Sequence, residues 1–305
     1  VKADSQDIAF FERQLEFIRP KTFDIKYPNL RTREFVPVDN TVDPGATTVK
    51  YNQFDMTGLA RVIASYADDL PRAQIKGKEF RQALKSLGVE FGYNLQEIRE
   101  ARFAGLPLEA RQAMASMRAM EEKIDAIGSL GSSADGLNGF LALANANTYT
   151  VPNGASTHPD WARKTGLEML ADLSGIAVVS VDLTNNVEVP DTVILPIAQY
   201  NRAANTPLMS SVGGVTTTVL RHFLDNNPFV KNVESWYRCK GAGANATDRM
   251  VAYRKDPEAL QLVIPQEYEQ LPIEVRGLEF NVACHARIGG VVAYYPLSVT
   301  YGDGI

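Results

Sequence analysis

The residues of this sequence whose types could support chemistry are three histidines, two cysteines and one glycine-rich stretch. His158 stands two positions before Asp160, close enough for a base and an orienting carboxylate. The same residues suit the start of a helix, with Asp160 as a first-turn carboxylate, and the Trp161–Leu173 periodicity that follows favours that reading. His285 adjoins Cys284 in a strand-like run and reads as structural. No histidine, His222 included, forms a metal-ligand spacing with another histidine or with a cysteine. Lys240–Asp248, "KGAGANATD", comes nearest to a phosphate-cradling loop. It lacks the Gly-Lys-Ser/Thr ending, and strand formers flank it where a phosphate loop would open a helix, so it reads as the tip of a hairpin. Asn245-Ala246-Thr247 matches a glycosylation sequon, with nothing else to indicate secretion. There is no nucleophile elbow and no His-Glu-x-x-His run. The sequence therefore predicts no catalytic residue, no metal and no cofactor.

Composition narrows the class further. The chain has 305 residues, 45% of them hydrophobic, enough to bury a full core in one large domain or two smaller ones. Its net charge of −5 argues against a free nucleic-acid-binding protein, which needs a basic surface. The basic residues of "RTRE", "RKTG" and "VRG" come singly or in pairs and read as solvated faces or inter-subunit ion pairs. Two separated cysteines, Cys239 and Cys284, make no disulfide framework and suit a reducing compartment. No apolar run approaches the roughly 20 residues of a membrane span, and the N-terminus has no signal-peptide apolar core. The first residue is not Met, which reads as a trimmed, processed or internal start.

The elements are more distinctive than the chemistry. Residues 1–40 read as an arm: a short amphipathic helix over Asp7–Phe17, then a proline-bearing extended segment whose apolar residues must pack on the body or on a neighbour. Residues 46–64 and 73–95 read as two long strand regions, the second broken near Gly77 and Gly88. A hairpin of that length with no third strand nearby needs outside support. In "VEFGYNLQEIREAR" the alternation of Val89, Phe91, Tyr93 and Leu95 passes directly into helical spacing. Gly105 and Pro107 predict a break, and a second helical segment follows. Its apolar positions Ala110, Ala113, Met114, Met117, Met120, Ile124 and Ile127 predict a buried face rather than a partner-binding methionine stripe. On that reading Met117→Asp destabilises the subunit. Downstream, "IAVVSVDL" and "DTVILPI" read as buried strands, "GVTTTVLRHFLDNNP" as a helix ended by Asn-Asn-Pro, and Val233–Lys255 as a hairpin. From Glu258 onward the chain is mostly strand. The class is α+β.

The stretches "LEFIRPKTFDIKYPNL", "FVPVDNTVDPGATTVKYNQFDMTGLARVI", "ADDLPRAQIKG", "FGYNLQEIREARFAGLPLEARQA" and "PLSVTYGDGI" carry a likeness that covers most of the chain and thins over residues 176–260. With the order of elements, they make the sequence resemble the Hong Kong 97-type major capsid proteins of tailed phages. The resemblance implies an N-terminal arm at 1–40, an E-loop at 41–80, and a P-domain at 81–175 whose spine helix begins at Asn94. It implies an A-domain at 176–265 and return strands of the P-domain at 266–305. The strand-into-helix junction is then where the E-loop returns into the spine helix. Asp68, Asp69, Arg72 and Lys76, near the tip of that loop, are expected to form charge pairs with a neighbouring subunit. Some phages of this fold cross-link subunits through a lysine and an asparagine; the positions of Lys76 and Lys78 alone do not carry that over.

The function so implied is self-assembly into hexamers and pentamers of an icosahedral shell enclosing phage double-stranded DNA, contacted non-specifically. Expected partners are further copies, a scaffold, a portal and a cement protein, with no membrane. No scaffold-like segment is visible in the chain, so that function is separate or already removed. The expected location is the virion, after assembly in the host bacterial cytoplasm. One alternative keeps the fold and makes the chain an encapsulin-type compartment shell, recognisable by a copurifying cargo enzyme. Another is an α/β enzyme with an unrecognised site, which requires convergent titratable residues in a pocket.

Overall fold

The computed structural model describes residues 26–57, 74–105, 108–208 and 217–305. Residues 26–31 have no regular structure; a single turn, α1 (Thr32–Phe35), and a short strand, β1 (Val38–Asp39), follow. Among the described residues of the arm, that turn is the one helical interruption of the expected path. Phe35 and Val36 are buried in the main core, so this part of the arm packs on its own chain. The helix expected over Asp7–Phe17 lies outside the described residues.

β2 (Thr48–Thr57) and β3 (Gln74–Ala83) pair antiparallel without a register shift, from Thr48 opposite Ala83 to Thr57 opposite Gln74. Gly77 lies inside β3 and Gly88 inside β4 (Lys85–Asn94), so neither glycine breaks a strand. The break falls at Leu84, whose side chain buries against Val263 and Val292 and turns the chain from the ribbon onto the body. A Cβ on Gly77 would stand 3.1 Å from the Phe54 ring, which explains a glycine in mid-strand.

Helix α2 (Leu95–Ala104) begins directly where β4 ends. Asn94 keeps an extended backbone while its side chain accepts from Glu97 N at 2.8 Å; Glu97 accepts in return from Asn94 N at 3.0 Å. This reciprocal cap replaces the turn that a strand-to-helix change otherwise requires. Gly105, with φ +68°, ends α2 in the left-handed conformation, and α3 (Leu108–Leu130) restarts beyond it, as the Gly-Pro signal predicts. The buried face of α3 is narrower than expected: Ser116, Met120, Ile124 and Ile127 point into the core. Met117 is 51% exposed and Met114 70%, which corrects their assignment to the buried stripe and removes the basis for a large Met117→Asp effect. Successive residues turn 100° on a helix, so Met117 and Met114 lie about 60° and 120° round from Met120.

β5 (Asn147–Thr150) leads to a short turn at Trp161–Arg163, where Asp160 accepts from Ala162 N at 2.9 Å. Helix α4 runs over Gly166–Leu183, capped by Thr165 and Glu168. The helix expected to stop at Leu173 therefore continues through "IAVVSVDL", which is not a strand. Ile176, Ala177, Ser180 and Val181 bury at helical spacing, and that burial overrides their β-branched preference. Gly175 lies inside this helix at a close packing site, where a Cβ would meet Tyr149 Oη at 2.3 Å.

β6 (Thr192–Leu195) is wholly buried, and α5 (Ile197–Asn205) and α6 (Val219–Asn226) precede β7 (Asn232–Ser235). β7 joins β6 in parallel, a pairing that needs such a helical crossover. β8 (Arg249–Tyr253) lies on the other side of β6, antiparallel to it. β7 and β8 are thus not a hairpin: β6 sits between them, and Lys240–Asp248 belongs to a wide connection. The chain ends in β9 (Leu260–Val263), β10 (Gln266–Gln270), β11 (Glu274–Arg276), β12 (Glu279–Ile288), β13 (Gly290–Ala293) and β14 (Val299–Asp303). One sheet has the order β5-β14-β8-β6-β7, and in another β12 pairs β4 along its whole length on one side and β10 and β11 on the other.

One apolar core joins α3 to β8, β9, β12 and the Phe35–Val36 pair; a second joins α4, α5 and α6 to β6. Beside the second, Lys164 Nζ lies 2.6 Å from Asp172 Oδ2, both side chains 1% exposed. Trp161 Nε1 donates to the same oxygen at 2.8 Å and Lys164 to the Pro152 carbonyl at 2.7 Å, so the pair is satisfied as well as buried.

Ile124→Ala should cost about 2–5 kcal/mol in urea unfolding, the range for a fully buried aliphatic side chain. Met117→Ala should cost clearly less; equal losses would restore the wider stripe.

Arg249 grips Asp303 with two hydrogen bonds of 2.6 and 2.8 Å. Burial alone would push the Asp303 carboxyl up, but Arg249 and the Ala244 amide outweigh it and hold the group below its ordinary range. A depressed folded value gives stability that is full above the unfolded pKa, about 3.9, and is lost as pH falls through the folded one. Asp303→Asn should remove this part of the acid dependence. Unfolding free energies below about pH 4 should then fall less steeply than in the parent, and parallel curves would exclude the linkage.

Candidate inter-subunit surfaces

The residues that could have supported chemistry are engaged elsewhere or stand apart. His158 is exposed, and Asp160 caps the Trp161 turn. His285 Nδ1 pairs with Gln266 Oε1 at 3.1 Å across neighbouring strands. Cys239 and Cys284 are free and buried, and burial pushes the Cys239 thiol far above its usual range, away from reactivity. In Lys240–Asp248, Gly241 N donates to Asp248 Oδ1 at 3.1 Å and Ala244 N to Asp303 Oδ2 at 2.9 Å. Asp248 of the loop and Asp303 of β14 thus occupy amides that a phosphate would need. Among the described residues no group of three or more His, Cys, Asp or Glu could hold a metal ion.

What the fold does present is apolar surface on its projecting parts. The β2–β3 ribbon carries Phe54, Met56 and Ile75 exposed, Met56 at 80%. Among the described residues, its contacts with the body lie toward its base. There Tyr51 stacks on Phe80 with ring centres 5.1 Å apart and meets Tyr294 edge-on at 4.9 Å. Val42, Ala46 and Val49 close the joint against Leu84 and Val263. Lys50 and Arg81 flank Glu79 at 3.4 and 2.6 Å and hold its carboxyl below the ordinary range, a solvated pair of little weight for stability. At the other end of β4, the β10–β11 flank exposes Leu271, Ile273, Val275 and Leu278, and Phe103 on α2 is 97% exposed. Patches of this kind on projecting elements mark association sites.

Of the four expected contact residues, Asp68, Asp69 and Arg72 lie outside the described residues. Lys76 is exposed on β3, opposite Asp55 and set back from the connection at 58–73. The exposed apolar residues of the ribbon went unrecognised in the sequence. A strand's alternation shows two faces but not whether either is covered.

A buried polar hub anchors the arm and has no local sequence signal. Asp125, 3% exposed on α3, accepts from Thr32 N at 3.1 Å and Thr32 Oγ1 at 2.7 Å on one oxygen, and from Arg238 Nη2 at 2.9 Å on the other. Arg33 extends it, reaching Glu121 at 3.1 Å and both oxygens of Glu267 at 2.8 Å.

A family model described as "Major capsid protein" matches residues 58–305. The chain belongs to the major capsid protein family. It is a capsid shell protein with the Hong Kong 97-type fold. Among solved structures, the capsid of Myoviridae phage XM1 is 22% identical to the capsid protein, with a TM-score of 0.82 over 96% of this chain and 98% of that one. The capsid of a native GTA particle is 11% identical, TM-score 0.65, over 98% of each chain. A virus-like particle from Pyrococcus furiosus is 10% identical, TM-score 0.54, over 88% of this chain and 91% of that one. No curated protein sequence matches the capsid protein.

Asp125→Ala in the capsid protein should cost about 3–5 kcal/mol, because it strands the Arg238 guanidinium and the Thr32 amide. It should also open residues 26–36 to protease. A urea midpoint and a cleavage pattern both unchanged would show that the hub does not hold the arm.

Proposed function

We propose that the capsid protein builds a closed icosahedral shell of hexamers and pentamers around double-stranded DNA. Residues 1–40 serve as the arm, 41–80 as the loop that overlaps a neighbour, and 81–175 with 266–305 as the domain around the long helix. Residues 176–265 form the domain directed toward the capsomer axis. The observation that supports this best is the β2–β3 ribbon: two ten-residue strands with exposed apolar side chains, tied to the body toward its base by Val49, Tyr51 and Gln82. A two-stranded ribbon is marginal in water. Neighbouring copies supply the missing support, and many modest contacts repeated over a shell add up to a stable particle. The role is structural, and none of its steps needs a catalytic residue. A scaffold, a portal and a cement protein complete the particle, which assembles in the bacterial cytoplasm and resides in the virion. The net charge of −5 fits an inner wall without a continuous basic lining, which leaves packaged DNA free to leave.

Phe54→Ser/Met56→Ser/Ile75→Ser should leave the circular dichroism and melting of the subunit unchanged while shells disappear from electron micrographs. Normal shells from the triple variant would refute the ribbon as a contact. In parent particles, nuclease-protected double-stranded DNA is expected inside; a cargo enzyme in its place would favour a bacterial compartment.

A further inference from the structure

The exposed apolar side chains of the ribbon stand on one side of it. Val49 and Tyr51 face the body, where Tyr51 meets the Tyr294 ring edge-on, and Gln82, paired with Val49, donates to the Gly136 carbonyl at 3.2 Å. Alternation puts Phe54 and Met56 on the other side. Across the ribbon, Ile75 stands directly opposite Met56, and Gly77 opposite Phe54 leaves space for its ring. Phe54, Met56 and Ile75 therefore make one exposed cluster, and the described body of the same subunit lies on the opposite side of the ribbon from it.

A second apolar row lies beside the N-terminal half of α3. Val275 pairs with Phe280, Phe280 pairs with Tyr93, and the Tyr93 hydroxyl donates to Glu109 Oε1 on α3 at 2.7 Å. These residues share the side of the sheet that faces α3, and alternation adds Ile273 to them. Tyr268 Oη, 2.6 Å from Ser116 Oγ, ties β10 to α3 further along. Arg33 bonds both Glu121 of α3 and Glu267 of β10, so the side of the helix that bears Glu121 is turned toward this edge of the sheet. Met117 and Met114 lie one and two turns back on the same side. Ile273, Val275, Met114 and Met117 are all exposed. β10 and β11 pair with β12 on one edge, and among the described residues no strand pairs with the other.

Charge favours a meeting of these two surfaces. The ribbon strands carry Lys50, Lys76, Lys78 and Arg81 against Asp55 and Glu79. Residues 266–278 carry Glu267, Glu269 and Glu274 against Arg276. Opposite excesses of this kind steer encounter and fix register, and the apolar clusters among them supply the attraction. Methionine stands on both surfaces, and its unbranched side chain adapts to what lies on it. We propose, on the reading of the ribbon as an inter-subunit contact, that Ile273 and Val275, with Met114 and Met117 beside them, form the surface that receives Phe54, Met56 and Ile75 from the ribbon of a second copy.

The test uses full chains with one added cysteine each, Met56→Cys and Val275→Cys, mixed in equal parts and assembled. The native cysteines are buried and do not compete. Under mild oxidation with copper phenanthroline, the shells should yield disulfide dimers holding one chain of each kind, identified by intact mass, several-fold above the yield from the same mixture kept unassembled. Met56→Cys mixed with Leu183→Cys, exposed at the C-terminal end of α4, should give none. Homodimers through Met56→Cys, or dimers with Leu183→Cys in place of Val275→Cys, would put the ribbon on another surface and overturn the proposal. If Met56→Cys does not assemble, Ile75→Cys, directly across the ribbon, takes its place. Shells in which neither ribbon position links to Val275→Cys would overturn the docking surface while leaving the ribbon's part in assembly intact. Normal shells from the triple serine variant would overturn both.

Discussion

Asp125 joins three stretches that lie far apart in sequence: the arm at Thr32, the long helix that carries it, and the loop at Arg238. A carboxylate this deeply buried is tolerable only with its oxygens occupied, and four donor contacts from Thr32 and Arg238 meet that need. Because Asp125 is buried and both its oxygens are held, the geometry has little freedom. Thr32 held there sets Phe35 against Trp236, ring centres 4.9 Å apart, and places Val36 in the same core. Arg238 held there fixes the start of the wide connection into β8. The main core could form around α3 without the hub, but neither the arm nor that connection would have a fixed place on it.

The molecule separates two kinds of contact. Interior polar groups such as Lys164–Asp172 and Arg249–Asp303 are close, satisfied and largely shielded. Exposed apolar groups stand on the ribbon, the β10–β11 flank and α2, elements that project from the cores. A subunit made this way keeps its shape alone and associates through surfaces that contribute little to that shape. Reversible association of modest strength lets a misplaced copy leave before a shell closes.

Much of this order was legible in the sequence. The change of period at Asn94, the Gly-Pro break and the paired β-formers are local signals, and each element they predict is present. The errors share one origin: a short apolar run does not say what it packs on. "IAVVSVDL" has the composition of a strand and is helical because one side of it closes the second core. Met114 and Met117 keep helical spacing with Met120 yet fall outside the narrow apolar face formed by Met120, Ile124 and Ile127. The supposed hairpin around Lys240–Asp248 failed because β6, some forty residues earlier in the chain, inserts between its strands. The contact residues were legible only through resemblance, and three of the four, Asp68, Asp69 and Arg72, lie beyond the described residues. The Asp125 hub was invisible, since Thr32, Asp125 and Arg238 share no spacing that a motif could record.

From Gln74 to Ala104 the chain is strand or helix at every residue except Leu84. No slack loop separates the projecting ribbon from the helix that follows β4. A tilt imposed on the ribbon by its surroundings has nowhere to dissipate along this path. It must turn about Leu84 or travel down β4 into the Asn94 cap. The ribbon and the helix therefore behave as two arms of one lever with its fulcrum in the core. The apolar fit of Leu84 against Val263 and Val292 sets how stiffly that lever turns.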